Sequence, residues 1–227
     1  MPNGKMLTCI YAIADYSVQE LMLPLYTVIY RDIAAIVGTT CKEELAFDKQ
    51  AAIEYGATLE VLNEKFTLLP CRFGTFLRNE NAVLQVLQQQ YFFYKERLEV
   101  LRGKQEFGLK VLSEKGARAQ SANNEKQLKD GKEYLLQKFY DYQADEERRQ
   151  VVQKTIDIIH GELQKLSSMN VKSSEINGHV VFSGNYLVEK KTESFFCSKV
   201  KVLQGMYPEL KFLLTGPWPP YNFVAGN

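Results

Sequence analysis

Two hydrophobic periods alternate along this chain. Residues 6–14, MLTCIYAIA, are an unbroken apolar, β-prone run that suits a buried strand. Two more runs, 25–30 (LYTVIY) and 33–37 (IAAIV), are separated by Arg31-Asp32 alone, which predicts a two-residue hairpin, although Ile33 follows Asp32 where Gly is favoured. From Asp48, a candidate N-cap, Ala52, Tyr55, Leu59, Leu62 and Phe66 recur every three or four residues and mark one face of a helix. Residues 67–77, TLLPCRFGTFL, return to extended character, with Pro70 pointing to an edge strand and Gly74 to a kink. One helix is predicted over 80–103, capped by Asn79 or Asn81. Its stripe is Val83, Leu84, Leu87, Tyr91, Tyr94, Leu98 and Leu101, and Gly103 stops it.

The second half begins with a strand at 106–114, EFGLKVLSE, followed by a polar loop in which Ser121 and Asn124 are candidate caps. From about 125 to 169 there is no proline, and Leu128, Leu135, Tyr142, Ile156 and Leu163 recur at multiples of seven, which predicts one long helix or two in series. Residues 143–150, QADEERRQ, hold no large apolar side chain, so the middle of this helix is expected to project into water or to meet a polar partner. Strands at 171–176 and 179–189 are joined through Asn177-Gly178, a strong hairpin signal. Phe195, Val200, Val202, Leu203 and Met206 mark a shorter helix ending before Pro208, and 209–215, ELKFLLT, reads as a last strand. The order β-α-β-β-α-β is that of a ferredoxin-like split βαβ arrangement. The first half partly echoes it, with a helical stub at 16–22. The fold class read from this pattern is α+β. A mixed domain over 1–104 precedes a ferredoxin-like domain over 105–227, whose tail runs extended from 216 to 227.

Composition narrows function mainly by exclusion. Twenty-eight basic residues against 27 acidic give a formal charge of +1, with 11 basic and 12 acidic residues before position 106, so neither half has the charge of a typical nucleic-acid binder. Cys9, Cys41, Cys71 and Cys197 are far apart with no CxxC, which signals neither a zinc ribbon nor a redox dithiol and suits a reducing, cytoplasmic setting. The longest greasy run, 21–30, contains Pro24 and is too short to span a bilayer, and the first residues lack a secretory pattern. His160 and His179 are the two histidines, too few for a three-His metal site. Hydrolase-elbow and phosphate-loop patterns are missing, and RFGTFL lacks the residue order of an RNA-recognition motif. Cys71 lies beside Arg72, but a buried structural thiol is the plainer reading. No catalytic, cofactor or metal residues are assigned.

The distinctive stretch is 216–223, GPWPPYNF. Pro217, Pro219 and Pro220 fix φ and remove three backbone donors, which predicts an extended, polyproline-like segment. Either Trp218, Tyr221 and Phe223 fold back into a groove of their own protein, or they and the neighbouring edge engage another protein by strand addition or groove recognition.

LLPCRFGTFL (68–77), GKEYLLQK (131–138), NYLV (185–188) and above all LTGPWPPYNFV (214–224) together resemble the gas vesicle accessory family usually called GvpF/GvpL, in that family's order. Cys71 departs from it, standing where many relatives carry an aliphatic residue or Met. The resemblance implies a non-enzymatic minor protein of the gas vesicle with an α+β N-terminal domain and a modified ferredoxin-like C-terminal domain. It also implies that the protein binds the hydrophobic shell protein and other accessory proteins during nucleation and assembly. No cofactor is assigned, and because the heptad of the long helix is interrupted at Arg149 and by the polar stretch, a monomer in isolation is expected. Arg72, Phe73 and Gly74 then belong to a structural motif in which Arg72 makes an ion pair or binds a carbonyl. A regulatory metabolite-binding or RNA-binding ferredoxin-like module is the rival reading.

Overall fold

The computed structural model describes residues 6–15, 24–41, 49–113, 131–173 and 179–225. Asp48, the stub at 16–22, Ser121, Asn124 and the Asn177-Gly178 turn fall outside them. Contacts divide the chain into two units, Met1–Glu106 together with Pro217–Asn227, and Phe107–Gly216.

In the first unit β1 (Met6–Asp15), β2 (Tyr26–Tyr30), β3 (Ile33–Cys41) and β4 (Leu68–Pro70) form an antiparallel sheet in the order β2-β3-β1-β4, and β5 (Phe76–Leu77) also pairs with β1. The predicted hairpin is present, with Tyr30 opposite Ile33. Arg31 takes the left-handed conformation (φ 53°) that Gly would adopt freely, at a cost of about 1 kcal/mol. Neighbours of the turn offset that cost. The Arg31 guanidinium lies 4.9 Å from the Tyr91 ring centre, and Asp32 takes a 2.6 Å ion pair from Lys95 and a 2.7 Å hydrogen bond from the Tyr91 hydroxyl. Pro70 sits on an edge strand, where a missing N–H removes no ladder bond.

Helix α1 (Lys49–Lys65) lays Tyr55, Leu59 and Leu62 on Cys9, Ala12, Ala14, Ile36 and Leu68. The alternate residues Ile10, Ile13, Ala35 and Val37 face the other way and are also buried, and α2 (Glu80–Gln89) and α3 (Tyr91–Leu101) pack against these strands. The single helix expected over 80–103 is therefore two. The break falls at Gln90 (φ −106°, ψ 12°), in a run of three glutamines where no apolar side chain holds the axis straight. Asn79 is the N-cap, its Oδ1 accepting from the Ala82 amide at 3.0 Å.

β1 carries a register shift between Ile10 and Ala12. The Tyr55 hydroxyl sits against it, within 2.9–3.2 Å of the carbonyls of Ile10, Tyr11 and Cys71.

The second unit holds β6 (Lys104–Ser113, entering from the first unit), β7 (Met169–Lys172), β8 (Val180–Glu189) and β9 (Leu210–Trp218) in the order β7-β8-β6-β9. Counted within each unit, both sheets have the same order: second, third, first, fourth. Helix α4 (Gly131–Gln164) contributes Ile156, Ile159 and Leu163 to the core, and α5 (Glu193–Met206) contributes Phe196, Val200 and Leu203. Gly108 leaves no room for a side chain beside β9, since a Cβ there would lie 2.8 Å from Thr215 Oγ1. His160 is buried with its Nδ1 2.9 Å from the Tyr186 hydroxyl, and burial lowers its pKa.

Both expected helices are present, α4 as one continuous helix over its described residues, but the residues that marked them do not all lie on the buried face. Leu135 and Tyr142 are 68% and 65% exposed whereas Ile156 and Leu163 are buried, so the seven-residue pattern is not one seam. The exposed stretch begins well before 143, and the residues that α4 buries all lie between Ile156 and Leu163. Of the residues that marked α5, Val200 and Leu203 are buried with Phe196 against the sheet, whereas Phe195, Val202 and Met206 are exposed.

Tyr55→Phe removes the donor shared by three carbonyls at the β1 bulge. It is expected to destabilise the first unit by about 1–2 kcal/mol in chemical denaturation, with secondary structure unchanged by circular dichroism.

Candidate interaction site

The tail and the RFGT turn are the sequence's candidates, and both belong to the first unit. In the turn, the Cys71 amide donates to the Tyr11 carbonyl at 2.8 Å and the Ile10 amide to the Thr75 carbonyl at 3.0 Å, so the segment bridges the gap between β4 and β5 along β1. Phe73 packs edge-on against Tyr55 at 5.3 Å, and Gly74 holds φ 87°, where a side chain would be strained. Thr75 closes the loop, its amide and hydroxyl donating to the Arg72 carbonyl at 3.1 and 2.7 Å. What the turn uses of Arg72 is that carbonyl. Its side chain is exposed, and its guanidinium makes no ion pair among the described residues. Burial pushes the Cys71 thiol up to about 12 and Cys9 to about 11, the wrong direction for an activated nucleophile.

The tail leaves β9 at Trp218. Gly216, at φ 115°, supplies a conformation that L side chains rarely adopt. Extension stops earlier than expected: Tyr221–Phe223 is a 3₁₀ turn, in which the Phe223 amide donates to the Pro220 carbonyl at 3.1 Å. Pro219, Pro220 and Phe223 are buried, Trp218 is half-buried, and Pro217 and Tyr221 are exposed.

Two buried charged residues receive this turn. Arg97 donates from Nη2 to the Phe223 carbonyl at 2.5 Å, while its Nε is buried with no hydrogen-bond partner among the described residues. Glu106, 3% exposed, accepts from the Asn222 amide at 2.9 Å and from Asn222 Nδ2 at 2.6 Å. Burial raises the Glu106 pKa, and the two Asn222 bonds only partly oppose it. Tyr221 is near enough to Tyr55 and Glu106 to interact with them electrostatically, which brings the tail and the RFGT turn to one neighbourhood. Arg97, Glu106 and Asn222 were not singled out from sequence. Their signal was an Arg between Tyr94 and Leu98 on an apolar helix face and a Glu opening an apolar strand.

Among the described residues no cluster of His, Cys, Asp or Glu is placed to hold a metal ion, and no helix is long and apolar enough to cross a membrane. The family model described as gas vesicle synthesis protein GvpL/GvpF matches residues 9–225. The chain belongs to the GvpL/GvpF family. It is 26% identical over 194 residues to gas vesicle protein L of a Streptomyces strain, covering 81% of this chain and 72% of the relative. Gas vesicle protein F1 of Halobacterium salinarum is 25% identical over 204 residues, covering 88% and 80%. In fold it is similar to the crystal structures of GvpF from Anabaena (TM-score 0.76, 20% identity, 98% and 97% of the two chains) and from Microcystis aeruginosa (TM-score 0.74, 18% identity, 96% and 99%). These likenesses assign the GvpL/GvpF chain a gas vesicle accessory role.

Asn222→Ala removes a donor to buried Glu106. A loss of about 2 kcal/mol and faster proteolysis of the tail are expected. Glu106 binds its proton more tightly folded than unfolded, so its contribution to stability is present at low pH and is lost as pH rises through its raised folded value. The Tm of Glu106→Gln relative to the unsubstituted chain should therefore climb from pH 4 to pH 7, and a flat difference would mean that burial does not shift this carboxyl.

Proposed function

We propose that this chain is a non-enzymatic assembly factor that binds the hydrophobic gas vesicle shell protein and other accessory proteins during nucleation and growth of the vesicle, in the cytoplasm, as a monomer when alone. The observation that carries the reading is the division of labour in the tail. Pro219, Pro220 and Phe223 are spent on docking, whereas Pro217, Trp218 and Tyr221 keep surface beside the end of β9. β9 is an edge strand, and an edge that leads into a rigid, aromatic surface suits an apolar, β-prone partner, through strand pairing and coverage at low ordering cost.

The β6-α4-β7-β8-α5-β9 element order and the β7-β8-β6-β9 sheet support reading the C-terminal domain as ferredoxin-like. We place the boundary between the domains near residue 105, with the tail returning to the N-terminal domain.

Trp218→Ala/Tyr221→Ala alters the surface residues and leaves the Arg97, Glu106 and Asn222 bonds in place. After circular dichroism shows it folded, it is expected to co-purify with shell protein at least about tenfold less well than the unsubstituted chain. Equal capture would move the contact off the tail.

A further inference from the structure

Arg97, 7% exposed on α3, makes no ion pair among the described residues. Its recorded bond is a single one, from Nη2 to the Phe223 carbonyl, and its Nε is buried without a partner among those residues. Buried polar atoms are rarely left in that state. A guanidinium is costly to desolvate, and a neutral donor in its place would hold a carbonyl at lower cost. What the guanidinium fork matches better than a neutral donor does is a carboxylate, taken by Nε and an Nη together.

The docked tail shows where that carboxylate would lie. The Phe223 carbonyl carbon already places one oxygen on Nη2, and a segment that ended at this carbon would carry a second oxygen where this chain continues to Val224. The rest of the groove is filled by Pro219, Pro220 and Phe223. Glu106 grips the same turn by its donors, accepting from the Asn222 amide and Nδ2, while Arg97 grips the acceptor of the next residue. Burial raises the Glu106 pKa, which favours its uncharged form and limits its repulsion of a second carboxylate. The tail therefore supplies what the groove reads except for one oxygen.

We propose that this groove is a peptide site for a partner protein whose chain ends in two prolines followed closely by a final aromatic residue. The partner's terminal carboxylate bridges Arg97 Nε and Nη2, and this chain's own tail is the resident that it displaces. The site is on the buried side of the tail and is separate from the contact proposed for exposed Trp218 and Tyr221. The test titrates the full chain with two synthetic peptides of residues 216–223, GPWPPYNF, one with a free terminal carboxylate and one amidated, followed by fluorescence anisotropy of an N-terminal label. The resident tail competes at an effective concentration on the order of 1 mM. The acid is expected to saturate below about 1 mM, and the amide to bind at least about tenfold more weakly. Saturation by the acid should speed proteolysis of the chain's own tail. Arg97→Gln, shown folded by circular dichroism, should erase the preference for the acid. Equal binding of the two peptides, no saturable binding of the acid up to about 1 mM, binding that leaves the tail protected, or an unchanged preference in Arg97→Gln would each overturn the proposal.

Discussion

Two charges inside the first unit have to be met by something, and what meets them is the far end of the chain. Arg97 and Glu106 are buried, and each such group costs several kcal/mol to desolvate unless it is hydrogen-bonded. Their recorded partners are one carbonyl and two N–H groups, all from residues 222 and 223. Charge-assisted bonds of this kind contribute about 1.5–3 kcal/mol each, so the tail and the charges justify one another. The raised Glu106 pKa shows which effect wins locally: desolvation outweighs the two bonds, and the site is held together without being electrostatically comfortable.

Apolar cores need only hydrophobic residues of suitable size, but this arrangement needs these partners in this geometry. Truncating either side leaves a buried polar group alone, and that penalty, rather than the modest net worth of the bonds, is what makes the docked tail specific. The proline rings lower the entropy of the free tail, so less is lost when it docks.

Strands and helices were largely legible because they are governed by local period. The Arg31-Asp32 hairpin, the edge placement of Pro70 and the Asn79 cap could be read from neighbours in sequence. The α5 stripe was legible only in part: Val200 and Leu203 were read from the pattern, but Phe195 and Phe196 are equally apolar and differ only in which meets the sheet. α4 misled for a related reason, since the spacing of Leu135 and Tyr142 is as regular as that of Ile156 and Leu163, and only sheet extent separates covered turns from bare ones. The docking residues were least legible, because Arg97 and Phe223 are 126 positions apart, Glu106 and Asn222 are 116 apart, and none of these pairings carries a local motif. Proline and aromatic content marked the tail, but its receptor is written in two charged residues that look ordinary until they are buried.

The Met1–Glu106 stretch and the segment 217–225 make up one unit, with Phe107–Gly216 inserted between them. During synthesis the inserted unit therefore has all its residues available before the unit that encloses it in sequence does. Of the two units, the one that starts to be made earlier is the later to be completed, and until Asn222 arrives Glu106 lacks those donors. Domains ordinarily finish in the order they are made. Here that order is inverted, which ties completion of the N-terminal domain to prior synthesis of the C-terminal one.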